Sequence, residues 1–442
     1  MLTAEENDIL TQTDAGMPMG EYFRRFWQPV ALSEELPDPD GEPLRVTVMG
    51  EHLVAFRDTE GRIGLMDRVC PHRGADMFFG RNEECGLRCV YHGWKFDVNG
   101  KAMDLPNVPP GVRHHETVRI KTYPTREFGQ IIWAYMGPQN GKMPDVPKME
   151  FGLMSDEKCY VMKQMLECNW AQAMEGDLDT SHFSFLHMPA PHVQTTENKD
   201  ANSPNRHLEW MRRDGRPKFD ILDHDVGFVV GGARATDEDN ELYWRMTQFM
   251  LPSHGTGPAT VPGETYYGFT LVPIDDHSCW MYCYAWNPER DLRKEEREKF
   301  LKGHGIIAEI GPDYMPIRNR GNDYQIDRST QKNVTYTGVL GTAEQDIMIQ
   351  QSQGFIADRT REALTATDSA IVKFRRSLIA GTCCANASFP LATAPTSHVG
   401  AGTLIKSWDR SSILPCTTSS LPTAMSAARK AILSLLSQGR AP

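Results

Sequence analysis

The sequence predicts an α+β protein in which a small β module precedes a larger antiparallel sheet with helices on one side. In residues 44–66, apolar and polar side chains alternate between turn signals, as in short paired strands. Several further strand-like runs lie between residues 205 and 286. Two helical segments follow, at about 289–303 and 343–378, and residues 159–188 also have helix-compatible spacing. A chain of 442 residues is long enough for the two or three domains that this division requires.

Composition and charge exclude several classes of function. The net charge is −11 at pH 7, whereas a surface that binds nucleic acid needs clustered Lys and Arg. No apolar run reaches the ~18 residues of a transmembrane helix, and residues 1–20 lack the basic start and apolar stretch of a secretory signal. We therefore expect a cytoplasmic protein without membrane or nucleic-acid partners. In that compartment the ten cysteines are thiols or metal ligands rather than disulfides.

The strongest motif lies in the β module. Cys70-x-His72 is followed, after sixteen intervening residues, by Cys89-x-x-His92. Two thiolates and two imidazoles on paired loops can hold a zinc ion, or a [2Fe–2S] cluster in which two His replace two Cys on one iron. Zinc ribbons favour C-x2-C knuckles, whereas both halves here mix Cys and His. Cys85 lies between the halves, and we interpret it as a bystander thiol because using it as a ligand would lose the mixed spacing.

A second group of candidate ligands begins about ninety residues downstream. It contains Asp179-x-x-His182 and His182-x4-His187. Two His near one helix end can supply two corners of a facial triad, with a carboxylate from elsewhere as the third. Such a site suits Fe(II) and leaves positions open for O2. By itself, a His pair on a helix face is more often a cap or a packing pair, and His192 is interpreted as a surface or loop histidine.

The residues around these motifs resemble the Rieske non-haem iron oxygenases. The flanks that carry the resemblance in the first motif are Pro71, Gly74, Tyr91, Gly93 and Trp94. In the second motif it is carried by the run from Asn169-Trp170 through Glu175 to His187. The resemblance implies a Rieske [2Fe–2S] cluster and a mononuclear Fe(II). The implied cluster ligands are Cys70, His72, Cys89 and His92.

The resemblance also implies the ligands of the mononuclear iron, which are His182, His187 and an acid about 150 residues later on a long helix. Glu344, Asp346 and Asp358 are the candidates for this acid. The segment GTAEQDIMIQQSQG selects Asp346, with Glu344 as the runner-up. In this family the residue at the position of Asp179 is a catalytic carboxylate. The resemblance implies that it bridges His182 and His92 of the partner subunit. Electrons are therefore expected to cross a subunit boundary.

Longer stretches, at 320–328, 336–338, 345–354 and 358–378, resemble the phthalate dioxygenase branch of the oxygenase α subunits. This branch implies a catalytic domain of the helix-grip (START-like) type and a homotrimer or stacked trimers. The implied enzyme is a terminal oxygenase that takes electrons from NAD(P)H through a separate flavin and [2Fe–2S] reductase. Its expected reaction inserts O2 into an aromatic carboxylate such as phthalate by cis-dihydroxylation. The implied substrate-binding residues are Arg206, Arg245 and Ser181.

Two other functions stay open. One is a Rieske monooxygenase, or an O- or N-demethylase, that acts on an aromatic compound with the same iron triad. The other is a non-catalytic Rieske electron carrier, which would lack the second metal. The iron content of the chain distinguishes the carrier from both oxygenases.

The sequence divides into four segments. Residues 1–39 are expected to pack on the catalytic domain, residues 40–125 to form the Rieske domain, and residues 126–379 to form the catalytic iron domain. The remainder, 380–442, is rich in Ala, Ser, Thr and Pro, and its only acidic residue is Asp409. The family resemblance ends near its start, so we expect an atypical, poorly ordered tail.

Overall fold

The computed structural model describes residues 1–139, 143–193, 204–238, 240–257, 264–301, 305–385 and 403–405. The chain forms two compact units. The smaller consists of Gln12–Val146 and Val272–Asp276, and the larger of Met1–Thr11, Pro147–Leu271 and the described residues from His277 onward. Within the described ranges, every helix is too short or too polar to cross a membrane.

The smaller unit is built almost wholly from antiparallel strands. After α1 (Ala4–Thr11), which belongs to the larger unit, its elements are α2 (Pro18–Phe23), β1 (Trp27–Leu32), β2 (Leu44–Val48), β3 (Glu51–Arg57), β4 (Ile63–Asp67), β5 (Arg81–Glu83), β6 (Gly86–Arg88), β7 (Lys95–Phe96), β8 (Ala102–Asp104), α3 (His114–Thr117), β9 (Thr125–Phe128) and β10 (Ile131–Tyr135). They form three sheets, with strand orders β1-β10-β9, β2-β3-β4 and β5-β6-β7-β8. The expected strands in residues 44–66 are therefore present.

The boundaries of this unit differ from those expected from the sequence. The segment 1–39 was expected to pack on the catalytic domain, but only Met1–Thr11 groups with the larger unit. The reason is that β1 pairs with β10, from Trp27 opposite Tyr135 to Leu32 opposite Ile131. This pairing also draws residues beyond 125 into the smaller unit, which continues to Val146. A long-range strand pair of this kind leaves no mark in local composition.

The larger unit contains most of the helices. Its elements after α1 are β11 (Cys159–Leu166), α4 (Trp170–Leu178), α5 (Pro204–Arg213), β12 (Lys218–His224), β13 (Gly227–Ala235), β14 (Leu242–Met250), β15 (His254–Gly257), β16 (Tyr266–Pro273), β17 (Cys279–Trp286), α6 (Lys294–Leu301), α7 (Arg328–Asn333), α8 (Thr342–Ser352), α9 (Ser369–Ala385) and β18 (Thr403–Ile405). Its sheet has the strand order β11-β17-β16-β15-β14-β13-β12, with β18 also on β14. The chain is α+β, as expected, because the strands pair antiparallel and the helices come from separate segments.

Two helical predictions need correction. Residues 159–188 begin with a strand, because β11 pairs with β17 along its full length, and helix α4 starts only at Trp170. The segment 343–378 contains two helices rather than one. Gly354 has a φ of 97°, in the left-handed region, and follows the end of α8. Helix α6 is confirmed, but it spans only Lys294–Leu301 of the expected 289–303.

Helix α4 is held firmly in the larger unit. Its N-cap Asn169 accepts a hydrogen bond from the backbone N–H of Ala171 at 3.0 Å. Glu175, on the same helix, forms ion pairs with the guanidinium groups of Arg359 at 2.9 Å and Arg375 at 2.8 Å. Both arginine side chains are buried. These contacts fix α4 against α9, which carries Arg375, and against the segment before α9, which carries Arg359. The C-terminal end of α4, where the loop to His182 begins, is therefore held in place.

A further bond joins α4 to α8. The side-chain amide of Gln172 donates hydrogen bonds to the backbone carbonyls of Gln350 at 2.9 Å and Gly354 at 2.8 Å. Its oxygen accepts from the backbone N–H of Ala357 at 2.8 Å. The buried amide therefore has partners on both sides and fixes the position of α8 relative to the end of α4.

The tail lies largely outside the described residues, which exclude 386–402 and 406–442. For those residues, the predicted poor order of 380–442 lies outside the part of the chain that the structure describes. Residues 380–385 are the last residues of α9, so the helix extends past the expected start of the tail. Thr403–Ile405 forms β18 and pairs with Leu242–Trp244 of β14.

Candidate functional site

In the smaller unit, two loops with the same backbone pattern carry the predicted cluster ligands. The Cys70 N–H donates to the carbonyl of Ala75, and the Cys89 N–H donates to the carbonyl of Trp94. In each loop the fourth residue after the cysteine is a glycine whose N–H bonds back to the cysteine carbonyl. These glycines, Gly74 and Gly93, have φ values of 74° and 79°. A left-handed residue is needed to reverse each loop, which explains why glycine occupies both positions.

The four predicted ligands meet between these loops. Cys70 and Cys89 are each 2% exposed, and burial raises the pKa of the Cys70 thiol to about 11, with Cys89 contributing. The rings of His72 and His92 are 4.4 Å apart, and His72 stacks on Trp94 at the same distance. The Nδ1 of His92 is buried and has no hydrogen-bond partner among the described residues. A buried imidazole nitrogen without a partner and two buried thiols beside it fit a bound metal cluster.

The spacing of these donors also distinguishes a cluster from a single ion. In the part of the chain that the structure describes, no three of the four donor atoms lie within 4.8 Å of one another. The ligands of one tetrahedral zinc ion would lie closer together, since each is bonded at about 2.0–2.3 Å. The arrangement therefore favours two metal atoms over one. Cys85 lies outside the group, at the turn between β5 and β6.

In the larger unit, the predicted iron ligands converge. The Nε2 atoms of His182 and His187 are 3.1 Å apart. The Oδ1 of Asp346 lies 3.2 Å from Nε2 of His187 and 3.7 Å from Nε2 of His182. The donor atoms of two imidazoles and one carboxylate thus converge on one point. This arrangement fits a facial triad of metal ligands, which leaves the remaining coordination positions of the metal open. This donor set suits Fe(II), so the residues present fit the implied iron.

The elements that carry these ligands differ from the expected helix end. Helix α4 stops at Leu178, and His182 lies in a separate 3-10 turn, His182–Ser184, so the two histidines do not share one helix. His187 follows that turn. Asp346 lies on α8 and faces the pair from the other side. Of the other candidate acids, the buried Glu344 accepts a hydrogen bond from the backbone N–H of Glu309 at 3.1 Å instead, and Asp358 is exposed.

Asp179 stands behind His182. Its Oδ2 lies 3.5 Å from Nδ1 of His182, and its Oδ1 accepts hydrogen bonds of 2.6 Å from both the backbone N–H and the hydroxyl of Ser181. Burial raises the pKa of Asp179, but the bonds from His182 and Ser181 outweigh burial and lower it. The Ser181 hydroxyl is thus committed to Asp179. Its predicted role as a substrate donor is not supported by this geometry.

The sequence did not single out Arg234, which supports the same loop from the sheet. Its guanidinium is fully buried and donates hydrogen bonds to the Thr180 carbonyl at 2.6 Å and to the Asp214 carbonyl at 3.1 Å. Burial lowers the pKa of Arg234 to about 10. In the sequence, only the position of Arg234 inside a strand could have indicated that it is buried. Its two carbonyl partners, at Thr180 and Asp214, lie far from it along the chain.

The two predicted substrate arginines have different surroundings. Arg245, on β14, lies 3.9 Å above the ring of Phe183, and that ring is 4.6 Å from the ring of His182. Burial lowers the pKa of Arg245, and its guanidinium forms no ion pair with a carboxylate among the described residues. Arg206 instead forms ion pairs with Glu209 and Asp237. Its charge is already balanced, so this geometry does not support its predicted role.

Asp177 is a carboxyl group that the sequence analysis did not consider. Its Oδ2 is enclosed and has no hydrogen-bond partner among the described residues. Burial raises the pKa of Asp177 to about 7, Arg245 opposes the rise and Asp346 adds to it. A Cβ at Gly255 would come within 2.4 Å of the Phe269 ring and 2.9 Å of this oxygen, so a glycine is needed there. This acid therefore lies in the same electrostatic environment as the triad.

Comparison with known proteins gives the family of the chain. Residues 26–124 match the Rieske [2Fe-2S] domain, and residues 134–410 match the family described as LigXa C-terminal domain like. The chain belongs to the Rieske oxygenases. The second match continues to residue 410, past residue 379, where the resemblance was expected to end.

Curated relatives among the Rieske oxygenases differ in the reactions they are named for. The chain is 38% identical to the phthalate 4,5-dioxygenase oxygenase subunit of Pseudomonas putida, over 86% of both chains. It is 32% identical to the 3-chlorobenzoate-3,4-dioxygenase oxygenase subunit of Comamonas testosteroni, over 86% of this chain and 88% of that one. It is also 33% identical to the 5,5'-dehydrodivanillate O-demethylase oxygenase subunit of a Sphingobium species, over 86% of this chain and 80% of that one.

Solved Rieske oxygenases share the fold. Dicamba monooxygenase superposes with a TM-score of 0.56 at 17% identity, covering 83% of this chain and 99% of that one. The oxygenase of carbazole 1,9a-dioxygenase, solved with its ferredoxin, gives 0.52 at 19% identity, over 84% of this chain and 94% of that one. The chain is a terminal oxygenase of the Rieske type, and its cofactors are a [2Fe–2S] cluster and a mononuclear iron. Such oxygenases work with O2 and a separate reductase or ferredoxin.

Proposed function

We propose that this oxygenase acts on a small aromatic carboxylate, of which phthalate is the first candidate, and converts it to a cis-dihydrodiol. The proposal rests on one observation: Arg245 presents a half-buried guanidinium beside the triad, which hydrogen-bonds to the Thr247 hydroxyl at 3.2 Å but forms no ion pair within 4 Å with a carboxylate among the described residues. A cation taken out of water is costly unless it is paired. A substrate carboxylate supplies the missing partner, and the guanidinium can bind both of its oxygens.

The proposed roles of the other residues follow from their positions. His182, His187 and Asp346 hold the iron, which activates O2 with electrons from the cluster. Cys70, His72, Cys89 and His92 hold the cluster. Phe183 lies under Arg245 and offers an apolar face for an aromatic ring.

Asp179 is proposed to fix the ring of His182. A carboxylate at Nδ1 keeps the proton there and leaves the Nε2 lone pair free for a metal. Asp179 is also proposed, from the family resemblance, to bridge to His92 of the partner subunit in a homotrimer or in stacked trimers. The proposed electron donor is a flavin and [2Fe–2S] reductase that oxidises NAD(P)H.

A second reaction is favoured by a specific observation. Of the two expected arginines, only Arg245 lacks an ion pair with a carboxylate among the described residues, because Arg206 is neutralised by Glu209 and Asp237. One free arginine is sufficient for a monocarboxylate, and a methoxy or alkyl substituent could take the place of the second carboxylate. A monooxygenase or demethylase acting on a substituted aromatic acid is therefore the alternative, and the relatives include one named as a dioxygenase and one named as an O-demethylase.

Substrate binding to the resting protein tests this proposal without turnover. We expect Arg245→Gln to weaken the binding of phthalate or benzoate by about 10–100-fold, since a charge-assisted hydrogen bond is lost, and to leave the uncharged methyl esters unaffected. Arg206→Gln is the matched control and should leave acid binding unchanged. If Arg206→Gln weakened binding and Arg245→Gln did not, the assignment would be reversed. Product analysis with a reductase then separates the diol from a demethylated product.

A further inference from the structure

The ring of His187 is held from behind by a neutral amide. The Oε1 of Gln345 lies 2.9 Å from Nδ1 of His187, and the Nε2 of the same amide lies 2.9 Å from the carbonyl oxygen of Val339. Gln345 is 5% exposed and Val339 is fully buried. The amide therefore bridges the imidazole and a backbone carbonyl away from solvent.

The orientation of this amide follows from its two partners. A backbone carbonyl can only accept a hydrogen bond, so the NH2 end of Gln345 must face Val339. The oxygen then faces His187, and it too can only accept. The proton of the neutral imidazole must accordingly lie on Nδ1, which leaves the lone pair on Nε2. That nitrogen is the one that faces Asp346, at 3.2 Å.

The two histidines of the triad are thus held by acceptors of different charge. Behind His182 stands the carboxylate of Asp179, and behind His187 stands an uncharged amide. An anionic acceptor makes an imidazole a stronger donor and adds a negative charge, whereas an amide fixes the ring and its tautomer without adding charge. Gln345 also directly precedes Asp346 on α8, so one turn of helix supplies one ligand and orients another.

We propose that Gln345 is a positioning residue of the iron site, which fixes the tautomer and the ring orientation of His187 by accepting a hydrogen bond from its Nδ1–H. This inference rests on the proposed ligand set of His182, His187 and Asp346. The side chain acts through His187 and does not contact the metal itself. Its sequence position next to a ligand gives no hint of this role, because its partner His187 is 158 residues away.

Three variants separate this role from a merely structural one. Gln345→Met keeps the length of the side chain and removes the acceptor. Gln345→Glu keeps the acceptor for His187 and removes the donor to Val339. Gln350→Met makes the same change on the same helix, where the amide only approaches the Ala173 carbonyl at 3.5 Å. If the bond to Val339 is what matters, Gln345→Glu must be at least as damaging as Gln345→Met.

The measurement is the anaerobic titration of Fe(II) into protein that has lost its mononuclear iron but retains its cluster. We expect Gln345→Met to raise the dissociation constant by about 10–100-fold, and Gln345→Glu to stay within about threefold of the wild type. Gln350→Met should bind like the wild type. Far-UV circular dichroism and thermal unfolding report that the larger unit of each variant is folded, and the cluster absorption reports the smaller unit.

Three results would overturn the proposal. They are unchanged binding in Gln345→Met, impairment of Gln345→Glu as severe as that of Gln345→Met, or an equal effect of Gln350→Met. If Gln345→Met does not fold, Gln345→Ala, which also removes the acceptor, takes its place and must weaken Fe(II) binding while Gln345→Glu retains it. Failure of the wild type itself to rebind Fe(II) would instead reject the ligand set on which the proposal rests.

Discussion

At the scale of single residues, the two acidic residues at the start of α8 differ in the direction of their side chains, and this decides which of them can be a metal ligand. Asp346 faces the histidine pair, whereas Glu344 is turned toward the backbone N–H of Glu309 and toward Arg318. They are two positions apart on one helix, so they point about 200° apart around its axis. Only one of them can reach the site.

This difference predicts opposite effects on iron content. Asp346→Ala should lose about one third of the iron, because the cluster holds two of the three atoms, and should keep the cluster absorption. Glu344→Gln should keep all of its iron. Elemental analysis of the purified variants measures both, and loss of iron in Glu344→Gln alone would show that the wrong acid was chosen.

Asp177 predicts a dependence of stability on pH. Burial raises its pKa to about 7 in the folded protein, so the folded state holds a proton that the unfolded state releases at lower pH. The stability that this proton provides is complete below about pH 4 and is lost as the pH rises through about 7.

In protein without the mononuclear iron, Asp177→Asn should therefore have nearly the wild-type melting temperature at pH 4 and a higher one at pH 8. The difference corresponds to ~2–4 kcal/mol at most. Thermal unfolding at both pH values measures it, with the exposed Asp225→Asn as the control. A melting-point difference that stays constant across this range contradicts the raised pKa.

The sequence predicts some single residues far better than others, and the reason is the distance to their partners. Cys70, His72, Cys89 and His92 could be predicted because each half of the motif is local and the ligand types are distinctive. Arg206 and Arg245 could not be separated, since one is neutralised by Asp237 and the other meets Phe183, and neither contact is visible along the chain. Asp177 was missed because a buried carboxylate resembles any acid on a helix.

At the scale of secondary structure elements, α4 is the element on which the iron site depends. Glu175 anchors it through Arg359 and Arg375, which are both buried. Breaking a buried ion pair leaves an uncompensated charge in a place that water does not reach. The helix would then lose its fixed position under the loop that carries Asp179 and His182.

Glu175→Gln should accordingly lower the free energy of unfolding of the larger unit by about 3–5 kcal/mol. The control is Glu298→Gln on α6, whose partner Lys294 is 84% exposed at a distance of 3.7 Å, and it should cost less than about 0.5 kcal/mol. Denaturant unfolding followed by circular dichroism compares the two. Equal effects would mean that the buried network does not stabilise the helix.

The strands of the larger sheet were predicted more accurately than its helices. Between residues 214 and 286 the strand-like runs were predicted correctly, and from β12 to β16 each strand pairs with its neighbour in sequence. Residues 204–213, at the start of the predicted strand region, instead form helix α5. Residues 159–166 looked helical because their partner β17 lies far downstream. The break between α8 and α9 was also missed, because one glycine in an otherwise helical pattern is weak evidence for a boundary.

At the scale of the whole molecule, the proposed passage of electrons between subunits gives a test that needs no structure of the assembly. His92→Ala and Asp179→Asn should each abolish turnover when all subunits carry the change. Mixed oligomers of the two variants should regain part of it, because one subunit then offers an intact His92 and its neighbour an intact Asp179.

Co-expression with two different tags allows the mixed oligomers to be purified, and product formation with the reductase measures the recovery. Oligomers that mix Asp179→Asn with His182→Ala are the control and should stay inactive. Both changes damage the iron site that receives the electron, so no subunit of this mixture offers an intact acceptor. Absence of recovery in the first mixture would place the whole electron path within one chain.

The position of Arg245 on β14 has a consequence for how such enzymes diverge. The metal ligands of the larger unit lie on a turn and on α8, whereas the group proposed to choose the substrate projects from the sheet. A replacement at that strand position can change which molecule is accepted without moving a ligand. The choice of substrate and the binding of iron can therefore change independently of each other in this fold, because they depend on different elements.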